Sequence, residues 1–130
     1  MLNTKKMNKL DSTLTVITNN PLVRDKYSNV IYVYGGPLQV IDKVLQFLEK
    51  GYLLHSHPIS GSIRLSCNPY RSILVSKKGS GGQIDKNGIK TILVAIDHIY
   101  KSINNRPTPK VFLYDYAELD LELLEKTVTF

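Results

Sequence analysis

Hydrophobic residues in this chain recur alternately in short β-branched runs and in longer stretches with helical spacing. That alternation constrains the fold more than any other feature, because it is the signature of an α/β domain. Leu14 to Thr18 is short and β-branched and predicts a first strand. Asn19-Asn20-Pro21 ends it; Asn20 suits a helix N-cap and Pro21 the first helical position, so Leu22 to Tyr27 is expected to be a short helix. Val30 to Tyr34, apolar on both faces, predicts a second strand. Beyond Gly35-Gly36-Pro37, Leu38, Ile41, Leu45 and Leu48 fall on one helical stripe with Val40, Val44 and Phe47 beside it, and Gly51 supplies the stop. Tyr52 to Ser56 and Ser72 to Ser76 predict two more strands. Asp85 suits the N-cap of the longest helix, whose buried stripe is expected to be Ile89, Ile92, Leu93, Ile96, Ile99, Tyr100 and Ile103. Pro107 and Pro109 break the pattern, and Lys110 to Phe130 fits either short strand or helix. The expected fold is α/β, a three-layer sandwich around a mostly parallel sheet of about four strands.

In open parallel sheets, ligands collect beyond the carboxyl ends of the strands. Here those ends are Asn19-Asn20, Gly35-Gly36, His57 to Ser62 and Lys77 to Gly82. If the third and fourth strands are parallel, all four groups share one edge. If 58–71 is a simple return, the lysine loop moves to the far edge. The sequence leaves both open.

At 130 residues the chain fits a single domain, expected over 12–130 behind a basic extension at 1–11. With 42% hydrophobic and 22% charged residues it has the balance of a folded globular protein. No apolar run reaches the roughly 20 residues of a membrane span. The single Cys67 cannot form an intrachain disulfide, and a cytoplasmic location is expected. Charge is polarised: residues 1–114 carry a net +10 and residues 115–130 a net −4. The basic body suits an anionic metabolite, an acidic protein surface or nucleic acid. Nucleic acid is disfavoured, since no RNP-type aromatic motif, GXXG clamp or zinc-finger spacing is present. The acidic C-terminal segment is expected to dock on the basic body of its own chain or of a second copy, which would favour a homodimer.

Polar chemistry concentrates in His55-Ser56-His57-Pro58-Ile59-Ser60-Gly61-Ser62 and Asn68-Pro69-Tyr70-Arg71-Ser72. From Lys50 through Ile84 there is no Asp or Glu, while Lys50, Arg64, Arg71, Lys77 and Lys78 are basic, which favours an anionic partner. Ser60-Gly61-Ser62 allows close backbone approach with two hydroxyls and successive N–H donors, Arg71 offers a bidentate fork, and His57 can exchange a proton near neutral pH. Asn19, Asn20, Asn68 and Tyr70 are expected to complete the pocket. The bland alternative is a loop whose polar groups hold one another together. Lys77-Lys78-Gly79-Ser80-Gly81-Gly82 fits neither phosphate-loop spacing and reads as a surface loop. Cys67 beside His57 would make a thiolate nucleophile only if the two touch, and His98 reads as a surface residue.

The string His55-Ser56-His57-Pro58 also resembles the core of the JAMM metalloprotease motif. That motif needs a downstream Ser-x-x-Asp and an upstream glutamate; here Ser66-Cys67-Asn68-Pro69 follows and Val30 to Tyr34 contains no Glu. No metal and no cofactor are expected, since a catalytic zinc needs a third protein ligand and a base.

A broader resemblance runs along most of the chain. Ile17-Thr18-Asn19-Asn20-Pro21-Leu22-Val23, Lys50-Gly51-Tyr52-Leu53-Leu54, His57-Pro58-Ile59-Ser60-Gly61-Ser62 and Asn68-Pro69-Tyr70-Arg71-Ser72-Ile73-Leu74-Val75-Ser76 resemble the GrdX family. Members are encoded beside components of the glycine, sarcosine and betaine reductases of amino-acid-fermenting anaerobes. The chain departs from the family pattern in its basic extension, at Ser66-Cys67-Asn68 and at His55. The resemblance implies an accessory protein of such reductase systems, binding a small anionic ligand or an acidic partner at the His57 to Arg71 loop. Three alternatives stay open: a small enzyme using His57 for proton transfer, a JAMM-like zinc hydrolase, which the missing acids disfavour, and a pure protein-interaction component of a reductase complex.

Overall fold

The structure, a computed structural model, describes residues 13–56, 68–77, 84–105 and 110–128, with the side chains of 102–105 outside the description. Its elements are β1 (Leu14–Thr18), α1 (Pro21–Lys26), β2 (Val30–Tyr32), α2 (Pro37–Glu49), β3 (Leu53–Leu54), β4 (Ser72–Ser76), α3 (Lys86–Asn105) and α4 (Leu113–Val128), the last entered through a 3-10 turn at Lys110–Phe112. The ambiguous C-terminal stretch is therefore helical.

Local chemistry explains the boundaries. Asn20 caps α1, its Oδ1 accepting from Leu22 N–H at 3.0 Å, with Pro21 at the first position. Gly51 takes φ +104 just past the C-cap of α2, a conformation an L side chain rarely adopts. Asp85 caps the start of α3, accepting from Gly88 N–H at 3.0 Å through Oδ1 and from Leu54 N–H at 2.9 Å through Oδ2. One carboxylate thus starts a helix and ties it to β3. The second strand is shorter than its apolar run, because Val33 N–H still reaches Thr18 O while Tyr34 turns out to solvent.

The strands form one mixed sheet in the order β2-β1-β4-β3. β1 and β2 are parallel, whereas β4 runs antiparallel to both β1 and β3. The expectation of a mostly parallel sheet is corrected here. A parallel β3 to β4 step would need a crossover helix with an apolar stripe, and 57–71 is polar and carries Pro58 and Pro69. The consequence is an edge shared by the carboxyl ends of β1, β2 and β3 and the amino end of β4. Lys77 sits at the opposite edge, its N–H on Thr13 O at 2.8 Å, so the lysine loop starts away from the other three groups. Residues 78–82 of that loop lie outside the described residues.

Alternate residues of β1 and β4 enter two clusters. Ile17, Ile73 and Val75 pack with Val40, Ile41, Val44 and Leu48 of α2 and with Ile92 and Ile99 of α3. Val16 and Leu74 pack with Val23, Tyr27 and Leu124, from α1 and its C-cap and from α4. Period-two alternation in the strands divides the core between the two faces. On α3, Ile92, Ala95 and Ile99 are buried and Ile89 and Ile96 half-buried, but Leu93 and Tyr100 are 52% and 58% exposed, contrary to the expected stripe. They lie one helical step round from the axis set by Ile92, Ala95 and Ile99. The side chain of Ile103 lies outside the description. His98, read as a surface residue, is half-buried. Among the described residues, no helix is long and apolar enough to cross a membrane.

Candidate functional site

The shared edge gathers the polar residues that end β1 and start β4. Asn19 is its hub: Nδ2 donates to Gly35 O at 2.9 Å and to Pro69 O at 2.8 Å, while Oδ1 accepts from Arg71 N–H at 2.9 Å. Its backbone carbonyl accepts from the Tyr32 hydroxyl at 3.1 Å. One amide therefore joins the ends of three strands. Gly35 allows this with φ +142, and a Cβ there would meet the Gln39 side chain at 2.9 Å.

Arg71 is only 7% exposed. Its Nη1 donates to Asn68 O at 2.6 Å and to Tyr70 O at 2.9 Å. Asn68 is buried too, its Nδ2 donating to Tyr116 O at 2.9 Å and its Oδ1 accepting from Tyr70 N–H at 2.9 Å. The Asn68-Pro69-Tyr70 turn is thus an Asx-type turn pinned to the start of α4. It carries the guanidinium to the edge in a fixed orientation.

Beside it lies a buried network missed in the sequence reading. Asp120, 7% exposed on α4, accepts from the Ser72 hydroxyl at 2.6 Å and from Asn20 Nδ2 at 2.9 Å, both through Oδ2. Thr18 Oγ1 lies 2.7 Å from Ser72 Oγ and accepts from Asn20 N–H at 2.9 Å. Because Ser72 donates to Asp120, the Thr18 hydroxyl is left to donate to Ser72. Asn20 Nδ2 also reaches Ala117 O at 2.8 Å. Burial pushes the Asp120 carboxyl above the usual carboxylate range, against the downward pull of its bonds to Ser72 and Asn20 and of the nearby Arg71 charge. In sequence Asp120 counted only as one charge of an acidic tail. The signal was available: Ala117, Leu121, Leu124 and Val128 recur at helical spacing, and Asp120 falls on that stripe.

Of the expected site residues, Asn19, Asn20, Asn68 and Arg71 are buried and brought together, and Tyr70 is half-buried among them. Asn19 spends its polar groups on the neighbouring loops, and Asn20 and Asn68 spend theirs largely on α4, so the three amides form a frame around the edge. His57, Ser60, Gly61, Ser62 and Cys67 lie outside the described residues. Ser56, before them, is tied to the middle of β4, its Oγ accepting from Leu74 N–H at 2.8 Å, and Asn68, after them, is tied to α4. His55 is exposed. Among the described residues, no three His, Cys, Asp or Glu side chains gather in a way that could hold a metal ion.

The family model for GrdX-like protein matches residues 15–129. The chain belongs to the GrdX-like protein family. The match runs from the second residue of β1 through α4, so the Asn19 hub, the Asn68 to Arg71 turn and Asp120 all fall within the GrdX-like region. Neither the curated proteins nor the solved structures compared with this GrdX-like chain gave a match.

Proposed function

We propose that this GrdX-like protein is a cytoplasmic accessory protein of glycine, sarcosine and betaine reductase systems that binds a small anion at the shared edge of its sheet. In this reading the fold is three layers, α2 and α3 on one face and α1 and α4 on the other, and the edge is where their loops meet. The observation that supports it is the Asn19 hub, which brings the buried Arg71 to the ends of β1, β2 and β4. Burying a guanidinium is costly unless it is hydrogen-bonded, and the bonds of Arg71 Nη1 to Asn68 O and Tyr70 O hold it in place at this edge. Asn19, Asn20 and Asn68 set the frame, Arg71 and Tyr70 face the ligand, and His57, Ser60, Gly61 and Ser62 supply the remaining donors. An acidic group on a reductase component is the protein-borne form of the same ligand chemistry.

Thermal unfolding with phosphate, acetate, acetyl phosphate and glycine tests the reading. A ligand at about 100 times its Kd adds ~2.7 kcal/mol, a rise of roughly 10 °C for a domain of this size. At least one of these anions is expected to raise the midpoint of the wild type, and Arg71→Lys to lose the rise, since lysine keeps the charge but not the fork. If no anion raises the midpoint, or Arg71→Lys retains every rise, the anion site is wrong.

A further inference from the structure

Tyr34 is 84% exposed, the most exposed large hydrophobic residue described. It is nevertheless held. Its ring meets Tyr32 edge to face, with centroids 4.9 Å apart at 81°, and the Arg24 guanidinium carbon lies 4.8 Å over the Tyr32 ring. Tyr32 in turn donates its hydroxyl to Asn19 O, and Tyr34 directly precedes Gly35, whose carbonyl accepts from Asn19 Nδ2. Arg24 therefore packs on Tyr32 and Tyr32 supports Tyr34 edge to face, in a cluster joined to Asn19 through the Tyr32 hydroxyl. Among the described residues, β2 is an outermost strand of the sheet.

An exposed aromatic ring that leans on a second ring, itself lying under a cation and hydrogen-bonded to the hub, is partly ordered before anything binds to it. Stacking a planar partner on it then costs little side-chain entropy. We infer that Tyr34 is a stacking platform at the lip of the edge, and that the bound anion carries a planar aromatic ring. Nucleoside phosphates and aromatic carboxylates share that chemistry. The ring lies on Tyr34 while the anionic group reaches toward Arg71; Arg24, over the Tyr32 ring, supports the platform through that ring. This inference rests on the anion site but adds a separate contact.

The experiment is isothermal titration with matched pairs: adenosine 5′-monophosphate against ribose 5-phosphate, and phenylacetate against acetate. In at least one pair the ring-bearing member is expected to bind about fivefold tighter or more, the lower end of what stacking on an aromatic side chain gives. Tyr34→Ala removes that advantage and leaves the ring-free member unchanged, while Tyr34→Phe keeps it. At 84% exposure the alanine variant should melt with the wild type, which separates lost stacking from lost folding. Equal binding within both pairs, an advantage that survives Tyr34→Ala, or no binding of any probe overturns the platform. Failure of the ring-free anions alone overturns the anion site instead, and the platform then stands or falls on whether Tyr34→Ala weakens the ring-bearing probes.

Discussion

Asn19 and Asp120 carry most of the polar order at the shared edge, and they do so differently. Asn19 satisfies Gly35 O, Pro69 O and Arg71 N–H with one side chain. Asn19→Ala leaves all three without that partner, and we expect a loss of about 3 kcal/mol in chemical denaturation, since each stranded buried group costs about 1–3 kcal/mol and the losses overlap. Asp120 is a buried carboxyl whose proton is held more tightly in the folded than in the unfolded state. Stability from its protonated form is complete below the usual carboxylate value and is lost as pH rises through the raised one. Asp120→Asn has no such proton, so it should gain stability relative to the wild type as pH rises through the acidic range. Denaturation curves of the two proteins at a series of pH values check this; a difference that stays constant contradicts it.

Among the elements, α3 and α4 depend on contacts far along the chain. Asp85 caps α3 and also holds Leu54 N–H, so Asp85→Ala should cost about 2 kcal/mol, more than a cap of roughly 1 kcal/mol alone. α4 docks through Leu124 in the second cluster, Asp120 in the network and the Lys26–Glu125 pair to α1. Leu124→Ala should cost about 2–4 kcal/mol by denaturation, while Glu125→Ala should change stability by less than about 1 kcal/mol, because the pair is partly exposed. β1, β4 and the Asn20-Pro21 start of α1 were legible in the sequence because their signals are local: β-branching, a cap and a proline. α4 was read less clearly, since its helical stripe of Ala117, Leu121, Leu124 and Val128 is interleaved with Asp115, Glu118, Glu122 and Glu125 and interrupted by Asp120. Leu93 and Tyr100 misled for a related reason, because apolar spacing alone does not fix how far round a helix the core extends.

For the whole molecule, strand order decides what the site can be. Antiparallel β4 brings Arg71 beside Asn19 and sends Lys77 to the opposite edge, so the lysine loop starts away from Asn19-Asn20 and Gly35-Gly36. The sequence named Asn19, Asn20, Asn68 and Arg71, but not their partners, which lie 48 to 100 residues away in the case of Pro69, Tyr116, Ala117 and Asp120. Such pairings depend on topology, and the connection through 57–67 left the topology open. The central claim is that this edge is where an anion binds. Its most direct test is an amide NMR titration of the isotope-labelled full chain with inorganic phosphate. We predict saturable shifts at the amides of 19–20, 35–36 and the non-proline residues of 57–71, with no comparable response at Thr13 or Lys77 on the opposite edge. Shifts centred on that opposite edge, or scattered over the surface lysines without saturation, would contradict the account.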